Sequence, residues 1–308
     1  MRTPMVHRIA AGLLVVLGLV GCTPPAALPR PSAAPQPAIP PGSTGTVDLG
    51  ERPFQLRVPA GYDPARPTAL VVALHGYTSN ATEAAGFFGL AGAAEERGVL
   101  VALPEGSENP RGDQFWNASS ACCDFDGSGV DDVGYLTGVI EAVQKGYAVD
   151  PGRVFVVGHS NGGFMALRLA CDRADRIAAV ASVAGAMDLA ADCAPARPIS
   201  VLQVHGSADQ TILPAGGRIS GVGYTSVDAT LELWRNRDAC PVTPTAVEQG
   251  GDADRSVAGD DLVQTSWSDC AEGAEVALWT IEGGGHVPAL TPEFTGDLLE
   301  WFEAHARR

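Results

Sequence analysis

The sequence predicts an α/β protein, with a mostly parallel central sheet covered by helices on both faces. Strand-length runs that are apolar throughout recur along the chain, and helical patterns lie between them. A strand buried on both faces reads as a continuous apolar run, and a parallel neighbour needs a crossover that a helix supplies. In order, Val47 to Val58 reads as a short hairpin or edge strand. Leu70–Leu74 is a strand, Ala81–Arg97 a helix, and Val99–Leu103 a strand. Glu105–Asp132, rich in Gly, Asn and Ser, reads as a loop. Val133–Tyr147 is a helix, Val154–Val157 a strand and Asn161–Arg173 a helix. Strands at Ile177–Val183 and Ile199–Val204 follow, then a helix at Val227–Arg237, a strand at Val276–Ile281 and a helix at Pro292–Ala306. Residues 47–308 suit one domain, and no second linker or repeat interrupts them.

The third observation narrows the class. The strand Val154-Phe-Val-Val ends in Gly158-His159-Ser160-Asn161-Gly162 and opens directly into a helical pattern. With 37 glycines in 308 residues, a bare G-x-S-x-G could be a Gly-rich loop with a surface serine. Strand before and helix after make it a nucleophile elbow, so the expected architecture is an α/β-hydrolase fold. Gly158 and Gly162 approach too closely to carry a Cβ, and the turn exposes the Ser160 hydroxyl.

Such a triad runs Ser, then Asp or Glu, then His. His7, His75 and His159 precede Ser160 and His205 precedes the expected acid Asp209, which leaves His286 and His305. His305 falls in the last turn of the terminal helix, where it is expected to be solvated. His286 follows a strand within Gly283-Gly-Gly-His286, where a general base can reach the serine. Asp209, after the strand Ile199–Val204, is the expected acid and Asp188 the runner-up. The oxyanion donors are expected to be the N–H groups of Asn161 and of Tyr77, in the loop after Leu70–Leu74. His75 braces that loop or touches substrate. Trp116 is either a substrate platform or a core anchor.

Residues 1–21 read as a signal peptide, with Arg2 and Arg8, an apolar Ile9–Val20 and then Leu19-Val-Gly-Cys22. That ending resembles the bacterial lipobox, which makes Cys22 the lipidation site and the chain a membrane-anchored lipoprotein outside the cytoplasm. A plainly secreted protein is the alternative. Residues 22–46, rich in Pro and Ala, read as a tether. The remaining Cys122, Cys123, Cys171, Cys193, Cys240 and Cys270 suggest three disulfides, for which 15 pairings exist. Adjacent Cys122 and Cys123 are expected to reach Cys171 and Cys193, leaving Cys240 and Cys270 to close a late loop. No C-x-x-C occurs, and the histidines stand apart from the cysteines, so no metal is expected. Asp124 to Asp132 hints at a calcium loop but lacks its downstream Glu, so a helix-capping loop is the better reading. A net charge of −16 argues against nucleic acid.

Several stretches taken together resemble the polyhydroxybutyrate depolymerase and feruloyl esterase-like family of secreted α/β-hydrolases. They are Leu74-His-Gly76, Trp116, Cys122-Cys123, Val130-Asp-Asp-Val-Gly134, Gly158-His-Ser-Asn-Gly-Gly163, His205-Gly-Ser-Ala-Asp209, Gly216-Gly217, Trp234, Cys240 and Gly284-Gly-His286. The resemblance implies a cofactor-free serine esterase acting on polyester, on feruloyl or acetyl groups of polysaccharide, or on short acyl esters. Where such enzymes often carry Trp-Pro after the histidine, this chain has Val287-Pro288. The alternatives are a peptidase on the same scaffold and a non-catalytic binding lipoprotein that keeps the fold. The first would be expected to carry a propeller or helical cap, the second to lack a triad residue.

Overall fold

The computed structural model describes residue 1, residues 39–189 and residues 193–307. Cys22, the signal segment and most of the tether lie outside the described residues. Residues 37–308 form one compact unit. Its strands are β1 Ser43–Val47, β2 Phe54–Val58, β3 Thr68–Leu74, β4 Leu100–Leu103, β5 Ser107–Glu108, β6 Gln114–Phe115 and β7 Val149–His159. They continue with β8 Ala179–Val183, β9 Ser200–Gly206, β10 Gly217–Ile219, β11 Val222–Tyr224, β12 Ala246–Gln249, β13 Leu262–Trp267 and β14 Val276–Ile281. The helices are α1 Ala81–Phe87, α2 Leu90–Arg97, α3 Asp132–Gly146, α4 Asn161–Asp172, α5 Val227–Arg237 and α6 Pro292–Ala304.

Ten strands form one sheet in the order β1-β2-β4-β3-β7-β8-β9-β14-β13-β12. The six from β4 to β14 run parallel, and antiparallel pairs finish both edges. Alternation within the apolar runs sorts the core into two layers. Leu70, Val72, Val154 and Val156 pack with Leu136, Ile140, Met165 and Trp234 beneath α3, α4 and α5. Val71, Ala73, Phe155 and Val157 pack with Phe88, Leu90, Leu298 and Phe302 beneath α1, α2 and α6. The parallel strands thus put their carboxyl ends, and the loops that follow, at one edge, where α/β sheets build sites.

Three expectations are corrected, and one edge of the sheet is new. Residues 43–46, assigned to the tether, are strand, because β1 pairs with β2 over its whole length. The single helix expected over Ala81–Arg97 is two, broken at Phe88 and Gly89, where Gly89 takes a left-handed φ of 60°. The antiparallel edge β12–β13 was not anticipated. The disulfides join Cys171 to Cys193, Cys240 to Cys270, and Cys122 to Cys123. The expectation had set aside the adjacent pair, whose Cα atoms are 3.0 Å apart across a cis peptide bond. Cys171, at the end of α4, instead meets Cys193 with Cα atoms 5.0 Å apart, inside the usual bridging range. In the loop before α3, Asp124 accepts from Ser128 and Gly129 N–H, and Asp131 caps the helix by accepting from Gly134 N–H.

Candidate active site

The turn between β7 and α4 is set by sterics. A Cβ on Gly158 would strike the Gly162 carbonyl, and one on Gly162 would strike the carbonyls of Leu74 and His75. Ser160 pays for this fit with a φ of 52°, a conformation non-glycine residues seldom adopt. Its hydroxyl stands at the start of α4 and at the carboxyl end of the sheet.

Two other strand ends meet it. After β14, His286 places Nε2 2.9 Å from Ser160 Oγ. Its Nδ1 lies 2.8 Å from Asp209 Oδ2, in the turn after β9. Asp209 is fully buried, and its Oδ1 accepts from Thr211 and Ile212 N–H at 2.8 and 3.0 Å. Burial would raise its pKa, but hydrogen bonds from His205, His286 and the Thr211 backbone outweigh burial and hold the carboxyl well below its ordinary value. Asp209 is therefore an anion that orients His286 with Nδ1 protonated, leaving the Nε2 lone pair toward the serine.

Asp188 is placed elsewhere. It accepts from the Ser120 hydroxyl and bridges to Tyr224 on β11. His305 is also engaged rather than solvated. It caps α6, with Nδ1 2.7 Å from Trp301 O and Nε2 3.7 Å from Glu275.

Opposite the elbow, β3 runs into Leu74-His75-Gly76-Tyr77. Among the described residues, neither Tyr77 N–H nor Asn161 N–H donates to a protein acceptor. His75 is buried between two backbone groups. Its Nδ1 lies 2.7 Å from Gly76 O, and its Nε2 accepts from Gly106 N–H at 2.9 Å. Burial pushes its pKa down to about 4, so the neutral ring braces the loop. Trp116 is a core anchor with no exposure. Its indole donates to His75 O at 3.0 Å, and its backbone exchanges two hydrogen bonds with the Asn161 side chain, at 2.7 and 2.9 Å. One residue thus ties the His75 carbonyl to the Asn161 side chain. The substrate-binding role considered for Trp116 is not available to a side chain so enclosed.

A cleft of about 310 Å³ opens over the serine, lined by Tyr77, Phe87, His159, Ser160, His286 and Val287. Its lining is largely apolar, with Glu83 among the residues at the site. Arg111 and Asn109, from the β5–β6 hairpin, donate to the Tyr77 hydroxyl and fix that wall.

Two residues at the site had been assigned no role from the sequence. His159, the variable position of the elbow, holds the His286 carbonyl 2.8 Å from its Nε2, and burial pushes its pKa down to about 4. His205, four residues before the acid in the same turn, lies 3.4 Å from Asp209. Among the described residues there is no group of three or more side chains suited to a metal ion.

Comparison with known proteins finds relatives among esterases. The family model described as "Putative esterase" matches residues 49–256. Feruloyl esterase B of Piromyces equi is 29% identical over 242 residues, spanning 75% of this chain and 42% of that protein. The chain thus spans less than half of that relative's length. "Putative esterase NocK" of Nocardia uniformis subsp. tsuyamanensis is 32% identical over 254 residues, which cover 80% of this chain and 71% of the relative. Among solved structures, the acetyl xylan esterase from Aspergillus awamori superposes with a TM-score of 0.61 at 19% identity. It covers 85% of this chain and 100% of its own. That likeness shows the α/β-hydrolase fold.

Proposed function

This chain belongs to the esterase family of α/β-hydrolases, and from that premise we propose that it hydrolyses carboxylic esters through an acyl-enzyme on Ser160. The observation that carries the reading is the unbroken relay Ser160–His286–Asp209, with both contacts under 3 Å. Ser160 Oγ attacks the ester carbonyl as His286 Nε2 takes its proton. Tyr77 and Asn161 N–H groups receive the oxyanion, which is worth most where water is excluded. His286 returns the proton to the leaving alcohol. A water then attacks the acyl-enzyme by the same steps in reverse, freeing the acid and Ser160. Asp209 stays ionised and holds His286 in the useful tautomer.

The apolar lining of the cleft favours an uncharged acyl or aryl group. The names of the relatives point to feruloyl esters and acetylated xylan, and the sequence resemblance adds hydroxyalkanoate polyesters. The same reading has residues 1–21 directing export and Cys22 carrying a lipid anchor ahead of a tether, with three disulfides suited to an oxidising compartment. Cys22→Ala should then move the protein from the membrane to the soluble fraction with activity intact.

Ser160→Ala is the direct test of the chemistry. The variant should fold normally, fail to label with a fluorophosphonate and lose hydrolysis of p-nitrophenyl acetate. Near-normal turnover in a folded variant would overturn the assignment. A panel of acetyl, butyryl, feruloyl and hydroxybutyryl esters then ranks the substrates.

A further inference from the structure

Two buried polar side chains beneath the acid have no part in the steps above. Gln203 and His205 lie two residues apart on β9, hence on the same face of the sheet, and both are buried. Gln203 Nε2 donates to Gly185 O at 2.9 Å and sits 3.2 Å from His205 Nδ1. His205 Nε2 lies 2.8 Å from Ile212 O and 3.4 Å from Asp209 Oδ2.

These contacts fix one another. The Gly185 carbonyl can only accept, so it sets the Gln203 amide with its nitrogen inward. That nitrogen can only donate, so His205 Nδ1 must accept, and the ring hydrogen is on Nε2. From there it is shared between the Ile212 carbonyl and the Asp209 carboxylate. Ile212 in turn donates its N–H to Asp209 Oδ1 at 3.0 Å, so holding its carbonyl holds the acid's other partner as well. The arrangement leaves Gln203 Oε1 buried with no hydrogen-bond partner among the described residues. A native fold seldom keeps such an atom without some other gain.

We propose that Gln203 and His205 are a positioning pair: Gln203 locks His205 as a donor, and His205 holds Asp209 in place to receive the His286 Nδ1 proton. The proposal rests on the triad reading above. With the inverted tautomer, an Nε2 lone pair would face a carbonyl and a carboxylate, and the turn carrying Asp209 would open. Without the His205 hydrogen bond, Asp209 becomes more basic and stabilises the His286 imidazolium more. The acid limb of kcat/KM then moves to higher pH. The titratable groups facing Asp209 are His205 from β9, His286 from the loop after β14 and, farther off, His159 from β7.

Nitrogen-15 NMR of the ring nitrogens in the wild-type protein reads the tautomer directly and needs no variant. His205 should carry its hydrogen on Nε2 and none on Nδ1, and the opposite assignment overturns the lock. His205→Leu should lower kcat about tenfold with KM little changed, and raise the acid limb. His205→Gln, which can still donate toward Asp209, should recover most of both. A His205→Leu protein with native melting behaviour, wild-type kcat and an unmoved limb overturns the positioning role. Turnover by Ser160→Ala would instead overturn the triad reading beneath it, so the two failures are distinguishable.

Discussion

The turn that carries Ser160 and the loop that carries His286 bring their reactive atoms to 2.9 Å, yet different forces hold them. The turn is jammed by its own backbone, because Gly158 and Gly162 leave no room for a Cβ against neighbouring carbonyls. Ser160 N–H is also tied to Val183 O at 2.8 Å. The loop is packed at Gly284, where a Cβ would meet the Ile281 side chain at 2.6 Å, but open at Gly285, where one would meet nothing within 4 Å. Remote side chains hold it instead. His159 grips the His286 carbonyl, Asp254 Oδ1 accepts from Ala289 N–H at 2.9 Å, and Arg255 donates to Leu290 O at 2.7 Å. Ser160 is positioned by backbone contacts, within the turn at Gly158 and against the carbonyls of Leu74, His75 and Val183 beyond it. The His286 loop depends on side chains dozens of residues away, one of them more than a hundred.

Paired glycine substitutions test that contrast most severely. Gly162→Ala drives a methyl into two backbone carbonyls that cannot yield separately. It should cost about 3 kcal/mol or more and leave little folded, fluorophosphonate-reactive protein. Gly285→Ala should melt within about 0.5 kcal/mol of wild type and keep its labelling. Equal losses at both positions would show that the loop is as tightly packed as the turn.

Asp209 comes next, because it supports the His286 loop rather than the turn. Asp209→Asn should cost roughly 10⁴-fold in kcat, as in the serine-protease example, by presenting His286 with the wrong tautomer. Asp188→Asn, at a clasp with Ser120, should leave kcat within a few-fold. Steady-state kinetics on p-nitrophenyl acetate decides, and the reverse pattern would move the acid to the loop after β8.

What the sequence disclosed follows the same division. The six parallel strands were legible because burial on both faces makes them apolar throughout. Ser160, Asp209 and His286, which the fold brings together, were singled out because strand ends, chain order and elimination leave few candidates. β12 was not, since every one of its residues is exposed and its Ala246-Val-Glu-Gln carries no burial signal. The break in the first helix left one trace, Gly89. Trp116 could be read two ways until its indole was seen against the His75 carbonyl. The support from His159 and His205 had no motif of its own, because each works through a carbonyl or a carboxylate that only the tertiary fold brings near.

The smallest expected effect compares the two sides through their buried histidines. His75 braces the loop that carries Tyr77, and His159 the loop that carries His286. Burial lowers both from 6.5 to about 4 in the folded protein. Between those values the unfolded chain binds more protons than the folded one, so stability rises with pH. The contribution is complete above about pH 6.5 and is lost as pH falls toward 4, at up to about 1.4 kcal/mol per pH unit for each group. His75→Gln and His159→Gln should each flatten the pH dependence of denaturant midpoints in that window. The second should also lower kcat through the His286 carbonyl it releases, and the first through the loop that carries Tyr77. A wild-type slope in both variants would mean that neither ring is held neutral, and the two sides would then differ in sterics alone.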